Sequence, residues 1–491
     1  MSAKPMKRRS WQIRVGVVLL ALGTTSVAQA RDLVDVATTP FVDPLQANPS
    51  QLDAGKTLPG DASPYVCRSG SVNIPQPLTL SDALDLALCH NPQVQSAWAT
   101  IKVQAAQVGV ARAAYLPTLN AGVSKLNQKT VYPEAQFQVN SARNSTSQYA
   151  TLTWRLLDFG GRGANRRSAN ALLDAALASH DAALQKNLAD VIGAYFDAQT
   201  ARANREAKET SEGIARQTLE TAQKREARGA GAQSDTLQAK TALAKAGLET
   251  GRAIGGYEKS LSALVVAMGL QTQVLGADKL TLGQDYADVE NTLQQGLQTW
   301  LTVAQELHPA IVAARARLES AKEKLTATRS EGLPTLDFTA SEYINGRPDQ
   351  GLSATRTHES VVGVTVTLPL FDGFGRTYKV RDAQAQIEVQ EADLHTVENQ
   401  VLGEVVKAHA DAVSALRNLD SSRRLIDAAH DALENVRRKY DRGLVDILEM
   451  LSVQTALADA EQERVRALAE WRSARLRLLA NAGTIGLKDV R

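Results

Sequence analysis

The sequence predicts a mainly helical chain in which one unit is written twice: a helix, two short strands, and a long helical hairpin. Three observations carry that prediction. Landmarks of the first half recur in the same order in the second at a nearly constant spacing. Two proline-free runs of about 64 residues carry helical apolar seams. Between the helical stretches lie four short segments with period-two alternation.

The duplication is read from paired landmarks. Asn91-Pro92 and His308-Pro309 stand 217 residues apart, as do Leu116-Pro117 and Leu333-Pro334. Asp158-Phe159-Gly160-Gly161-Arg162 answers Asp372-Gly373-Phe374-Gly375-Arg376, and Arg228-Gly229 answers Arg442-Gly443, both 214 apart. The halves therefore run over 80–270 and 300–487, joined by a linker at 271–299 and followed by a tail at 488–491.

The chain opens with an address. Lys4, Lys7, Arg8, Arg9 and Arg14 form a basic front, an apolar run from Val15 to Gly23 follows, and Ala28-Gln29-Ala30 is a small-x-small cleavage site. That order reads as a secretory signal peptide over 1–30, cleaved after Ala30, and is too short for a spanning helix. The whole chain holds 55 basic and 53 acidic residues, and the signal holds five basic and no acidic ones. The mature chain from Arg31 thus balances at 50 against 53, or −3, which excludes nucleic acid as an expected partner.

A Pro-rich extension at 31–79 precedes the first repeat. It contains Cys67, and the first helix contains Cys89. In an oxidising periplasm these are expected to pair and staple the extension to that helix, the alternative being two free thiols. Neither cysteine lies at the cleavage site, so no N-terminal lipid anchor is expected.

Each repeat begins with a helical stretch, about 81–114 and 302–330, ended by Leu-Pro, where proline disfavours further helix. Strands follow at about 118–127 and 147–157 in the first half, and at about 335–343 and 360–371 in the second. Ala150, Leu152, Trp154 and Leu156 share one face against Tyr149, Thr151, Thr153 and Arg155. Val362, Val364, Val366, Leu368 and Leu370 oppose Val361, Gly363, Thr365 and Thr367 in the same way. After a Gly-Arg corner come the long runs, about 165–228 and 378–442. Their seams, Leu173, Leu177, Leu184, Leu188, Val191 and Tyr195, then Leu394, Val397, Val401, Val405, Ala412, Leu416 and Leu419, specify coiled-coil packing. About 64 residues at about 1.5 Å each make a helix of roughly 96 Å. A Gly turn and an alanine-rich return helix, about 234–268 and 446–481, complete each unit.

Beyond the signal no stretch approaches the roughly 20 apolar residues that a spanning helix needs. Alternating strands of about 10 residues suit an outer-membrane barrel instead. Four strands alone would leave two open edges in lipid, at several kcal/mol per unpaired backbone group. Closure therefore needs further copies. Two copies give about 8 strands and a filled interior, and three give about 12 strands and room for a lumen, which favours a homotrimer. The charged helices must then project into the periplasm.

In this duplicated order the sequence resembles the TolC family of outer-membrane channel-tunnel proteins, or outer-membrane factors, over about 80–487. The resemblance implies a mainly α chain whose trimer forms a 12-stranded barrel continuous with a periplasmic helical tunnel. It implies docking to a periplasmic adaptor (membrane fusion) protein and to an inner-membrane ABC, RND or MFS transporter. It implies export of protein or small-molecule cargo and no catalysis. No cofactor is expected. The absent lipidation site and the Cys67 and Cys89 pair favour type I protein secretion, or a general-purpose duct, over multidrug efflux.

The candidate functional residues lie in the hairpin turns. Asp446 and Glu449 are three apart and share a helical face, so that a trimer would stack them as two rings, six carboxylates in all, able to attract cations and bind divalent ions. The same acids would serve as a helix N-terminal cap. The family's paired-acid motif falls on Asp446 and Glu449, and its entrance tyrosine falls on Tyr440. The turn is shorter than the family's, which leaves Arg442 as the substitute latch partner. Only this hairpin carries the acid pair, since the first turn has Asp235 followed by Gln238. Gly229, Gly231 and Gly443 mark the tips expected to dock the adaptor.

Other motifs fall away. Asp158-Phe159-Gly160 has no Gly-rich partner loop and reads as a corner. The seven histidines show no zinc-ligand spacing, and there is neither a phosphate loop nor a nucleophile elbow. His308 reads as structural, and Trp154 as a girdle residue or as ordinary barrel packing. The rival readings are a periplasmic adaptor, which would have one hairpin and a β-rich body, and a coiled-coil protein without a pore.

Overall fold

The computed structural model describes residues 43–54, 67, 74–130, 141–229, 231–270, 280–283, 293, 295–347, 357–442, 444–445, 447–486 and 489. The signal at 1–30 with its cleavage site, most of the extension, most of the linker, Gly443 and Asp446 lie outside them.

A five-residue helix α1, Ser50–Ala54, precedes the first repeat. That repeat then runs α2 Leu80–His90, α3 Pro92–Ala113, β1 Thr118–Thr130, β2 Ser141–Leu157, α4 Gly161–Ala227 and α5 Gln233–Ala267. The second runs α6 Leu297–Leu307, α7 Pro309–Ser330, β3 Thr335–Ile344, β4 His358–Thr367, α8 Gly375–Asp441 and α9 Ile447–Asn481. Both α4 and α8 have 67 residues, and at about 1.5 Å per residue each is about 100 Å long. Among the described residues no helix is long and apolar enough to cross a membrane.

The expected opening helix of each half is in fact two helices. The break falls at Asn91 and at His308, whose backbones take nearly the same extended conformation, φ −64°, ψ 122° and φ −64°, ψ 123°. The following proline disfavours helical geometry at each and begins the next helix, where its missing N–H costs nothing. Asn91 caps α3 through Oδ1, which accepts from the Gln93 N–H at 2.8 Å. His308 caps α7 through Nδ1, which accepts from the Ala310 N–H at 3.2 Å.

The same two positions receive the ends of the return helices. Gly269 (φ +77°) and Gly483 (φ +82°) close α5 and α9. The Leu270 N–H bonds Val265 O and the Thr484 N–H bonds Leu479 O, the six-to-one bonds of a Schellman turn. A Cβ on Gly269 would stand 2.4 Å from Asn91 Cα, and one on Gly483 would stand 3.1 Å from His308 Cα. Each return helix thus abuts the start of the helix that continues its row towards the strands. Asn91 adds a bond from Nδ2 to Ala267 O at 3.2 Å.

This junction fixes the lateral order. On the strand side of it, α3 packs on α4, α4 on α7, and α7 on α8. On the turn side, α5 packs on α4, α4 on α9, and α9 on α8. The strands form one antiparallel sheet of order β1-β2-β3-β4. Since β1 follows α3, β2 leads into α4, β3 follows α7 and β4 leads into α8, sheet and helices keep one lateral order. The same two sides, β1 with α3 and β4 with α8, are left as edges.

The first hairpin is longer than its alternation shows. Pairing continues to Thr130↔Ser141, because beyond Asn127 neither face is apolar and periodicity carries no signal there, while backbone pairing needs none. β4 stops at Thr367, short of the expected Phe371, because Pro369 has no N–H for the ladder.

The core is a belt around the middle of the long helices, on the level of α2 and α6. Leu184, Leu188, Val191 and Tyr195 of the first seam are buried there with Leu78, Leu84 and Leu88. Val401, Val405, Ala412 and Leu419 of the second seam pack on Ala304 and Trp471. Polar groups lock the belt: Gln199 Nε2 donates to Gly283 O at 2.6 Å, and Arg202 Nη1 to Leu282 O at 2.8 Å. Cys67 and Cys89 are bonded to each other, which ties the extension to α2.

Candidate functional site

Two regions carry the candidate chemistry, the sheet and the hairpin tips. In the sheet, register aligns like with like. Leu119 pairs with Leu152, Leu152 with Ala340 and Ala340 with Val362, while Trp154 pairs with Phe338 and Phe338 with Val364. On this face Leu119 is 71% exposed, Val362 70% and Val366 67%, so the protomer leaves an apolar surface uncovered. The other face aligns Asn120, Thr151 and Ser341, and Arg155 with Asp337. There Ser341 Oγ donates to Thr151 Oγ1 at 3.1 Å, and Arg155 Nε donates to Asp337 Oδ1 at 2.9 Å. One greasy and one polar face across four strands is the pattern of a wall between lipid and water. Trp154, on the apolar face, is 41% exposed and donates from Nε1 to Tyr115 O at 3.0 Å.

The corner residues set the entry of each long helix. Asp158 Oδ2 accepts from the Arg162 backbone N–H at 2.7 Å and from Arg162 Nε at 3.1 Å. Asp372 Oδ2 accepts from the Arg376 N–H at 2.9 Å. Each aspartate satisfies an otherwise orphaned helix N–H and faces the positive end of the helix dipole.

Around α4 the belt-facing Tyr195 has Lys186, Asp190 and Asp197 on the opposite side, by 100° steps per residue. These line a groove of about 910 Å³ with Glu404, Lys407, Asp411, Glu470 and Arg477 from α8 and α9. The surface away from the belt is therefore charged and of mixed sign.

The two tips match closely. Arg228 and Arg442 end α4 and α8 with the same backbone, φ −91° and ψ 1° or 0°. Gly229 holds φ +70° with open space where a Cβ would stand, and a Cβ on Gly231 would lie 3.1 Å from Arg225 Cβ. Asp235 lies in the first turn of α5, and Gln238 is exposed one turn on. In the second tip Arg442 is exposed and its N–H bonds Lys439 O at 3.1 Å. Glu449 is exposed in the first turn of α9. Its distance to Asp446 lies outside the described residues.

Tyr440 finds its partner in the other hairpin. Arg225 Nη1 donates to the Tyr440 hydroxyl at 3.1 Å, and the guanidinium lies 5.6 Å from the ring centroid. Tyr440 and Leu219 also cover a small core of Ala222, Ala239 and Ile447. The hydroxyl thus bonds Arg225, beside the small core that the two tips share, and not Arg442. Nothing in the sequence marked Arg225, since the contact spans the duplication. Gly269 and Gly483 went equally unmarked, although their 214-residue spacing repeats that of the corners.

His308 is mostly buried, and burial holds its pKa below 6.5, against a smaller upward pull from Glu404. A neutral ring is what its cap requires, since Nδ1 must accept. Among the described residues no group of His, Cys, Asp and Glu could hold a metal ion.

A model of the outer membrane efflux protein family matches residues 83–270 and 300–484. Protein CyaE of Bordetella pertussis is 36% identical over 419 residues, covering 84% of this chain and 85% of that one. The alkaline protease secretion protein AprF of Pseudomonas aeruginosa is 25% identical, covering 84% and 86%. Among solved structures the CmeC outer membrane channel of Campylobacter jejuni superposes with a TM-score of 0.69 at 17% identity, covering 83% and 86%.

Proposed function

The chain belongs to the outer membrane efflux protein family, as an outer-membrane channel with a periplasmic helical tunnel, and we propose that it is the exit duct of a protein secretion system. One observation carries this reading: strands and helices share a lateral order and end at the same two edges. β4 of one copy is free to pair with β1 of the next, as α8 is to pack on the α3 and α5 row of the next. Three copies close about 12 strands around a lumen that side chains do not fill. The apolar face then meets lipid and the polar face meets water. The 100 Å helices carry the duct into the periplasm, and the tips meet an adaptor that joins it to an inner-membrane transporter. That transporter supplies the energy, and this chain supplies a passage.

Protein cargo is favoured by relatives whose names state protease secretion, AprF and PrtF of Dickeya chrysanthemi, each matched over 84% of this chain. A coiled-coil protein would leave the four-stranded sheet without a use, and an adaptor, with one hairpin, would not repeat the unit twice. The test is a deletion strain assayed for secreted polypeptides and for sensitivity to dyes and detergents. Loss of one or a few secreted proteins with unchanged sensitivity supports the proposal. Sensitised cells with an intact set of secreted proteins would make it an efflux duct instead.

A further inference from the structure

We propose that the two corners joining the strands to the long helices form a docking surface for the phosphate headgroups of anionic phospholipids in the periplasmic leaflet of the outer membrane. This rests on the reading that the sheet crosses that membrane. Each corner holds two successive residues in the left-handed region, one glycine and one phenylalanine, in opposite order: Phe159 (φ +51°) and Gly160 (φ +99°), then Gly373 (φ +68°) and Phe374 (φ +67°). Glycine adopts this conformation freely, whereas a phenylalanine there is strained. The protomer leaves both residues largely uncovered, 54% and 65% exposed, with Phe371 edge-on to Phe374. Both halves thus hold out an apolar ring at a backbone cost, at the depth where the apolar sheet face ends in Trp154 and Leu156 on one side and Leu368 and Leu370 on the other. Rings at that depth suit the interfacial belt of a membrane protein.

Free cations follow the rings in both halves. The Tyr115 ring, next to Trp154 through its carbonyl, lies 4.9 Å from the Arg162 guanidinium and 5.7 Å from that of Arg166. Arg162 is committed to Asp158 and to the Arg155 and Leu156 carbonyls. Arg166 is exposed and has no carboxylate partner among the described residues. In the other half Phe374 meets Phe371 edge-on at 5.4 Å, Tyr378 is 66% exposed one turn further, and its ring lies 5.6 Å from Arg381. Arg381 too is exposed and has no carboxylate partner among the described residues. Tyr378 and Arg381, three apart in the first turns of α8, share one helix face, and Phe374 is the residue that caps that helix. The order apolar face, ring, ring-stacked guanidinium therefore occurs twice. It matches the order acyl chain, glycerol, phosphate, with the aromatic face orienting each guanidinium.

The test uses the full mature protein in nanodiscs of mixed phosphatidylglycerol and phosphatidylcholine. Co-purifying lipid is counted by native mass spectrometry, with single-channel recording in parallel. The wild type should retain phosphatidylglycerol preferentially, by about fivefold per guanidinium at low salt, and less as salt rises. Arg166→Gln with Arg381→Gln should bring the two lipids to parity with channel steps unchanged. Phe159→Gly with Phe374→Gly should lower lipid retention while raising thermal stability in detergent, a pair of effects that a purely structural ring would not give. A wild type without preference, a glutamine variant with the wild-type preference, or displacement of the lipid by millimolar inorganic phosphate would each overturn the lipid surface alone. A wild type that never forms channels would overturn the spanning reading and this proposal with it.

Discussion

Arg225, near the end of the first long helix, donates to the hydroxyl of Tyr440, near the end of the second, at 3.1 Å. The bond ties the tips of the two hairpins within one protomer. As a hypothesis, it holds the periplasmic entrance narrow. Tyr440→Phe removes the bond and keeps the ring under the guanidinium. At about 1 kcal/mol for one such bond, channel opening should become about fivefold more frequent, with the thermal midpoint unchanged. Recordings in which Tyr440→Phe opens no more often than wild type would remove the latch. Arg442→Ala should leave opening unaltered.

Gly269 and Gly483 are expected to tolerate no side chain. Each needs a positive φ, and a methyl would meet the backbone of Asn91 at 2.4 Å or of His308 at 3.1 Å. Gly269→Ala should destabilise by about 3 kcal/mol and Gly483→Ala by about half that, ranked by the tighter contact. Heat dissociation of the assembled protein in detergent checks the order, and equal midpoints would contradict it.

The duplicated order was legible because it rests on residues with few substitutes: proline breaks helix, glycine turns a corner, and long apolar seams need helices. The breaks at Asn91 and His308 went unread because helical sequence continues on both sides of each X-Pro, although the proline itself disfavours helix at the residue before it. The polar ends of β1 and β2 were hidden because strands clear of the apolar band have no face to bury. Contacts across the duplication, Arg225 with Tyr440 and Gly483 with His308, depend on which helices become neighbours. No local pattern reports that. The acid pair at Asp446 and Glu449 was read from spacing alone, and it stays a proposal.

His308 should make stability depend on pH. Its ring is neutral when it accepts from Ala310, and its folded pKa lies below the unfolded value of 6.5. Between those two values the unfolded chain binds more protons, so the contribution is complete above 6.5 and is lost as pH falls through the folded pKa. His308→Asn, copying Asn91, keeps a cap and removes the titration. The thermal midpoint of the wild type should fall below that of this variant progressively as pH is lowered from about 7.5 to 5. Parallel curves would rule the effect out.

Asp446→Ala with Glu449→Ala should reduce cation selectivity and block by divalent ions while leaving the oligomer intact. Two stacked carboxylate rings attract cations, whereas two helix caps do not. A variant that keeps its selectivity and loses only stability would assign both acids to capping.

The central claim is that copies of this chain close their strands and helices into one water-filled passage. Its most direct test is single-channel recording of the purified mature protein in a planar bilayer, with its oligomeric mass measured on the same sample. The account predicts a trimer that gives discrete conductance steps, larger or more frequent in Tyr440→Phe. A trimer that inserts and passes no current, even with Tyr440 and Arg225 both replaced by alanine, would contradict it.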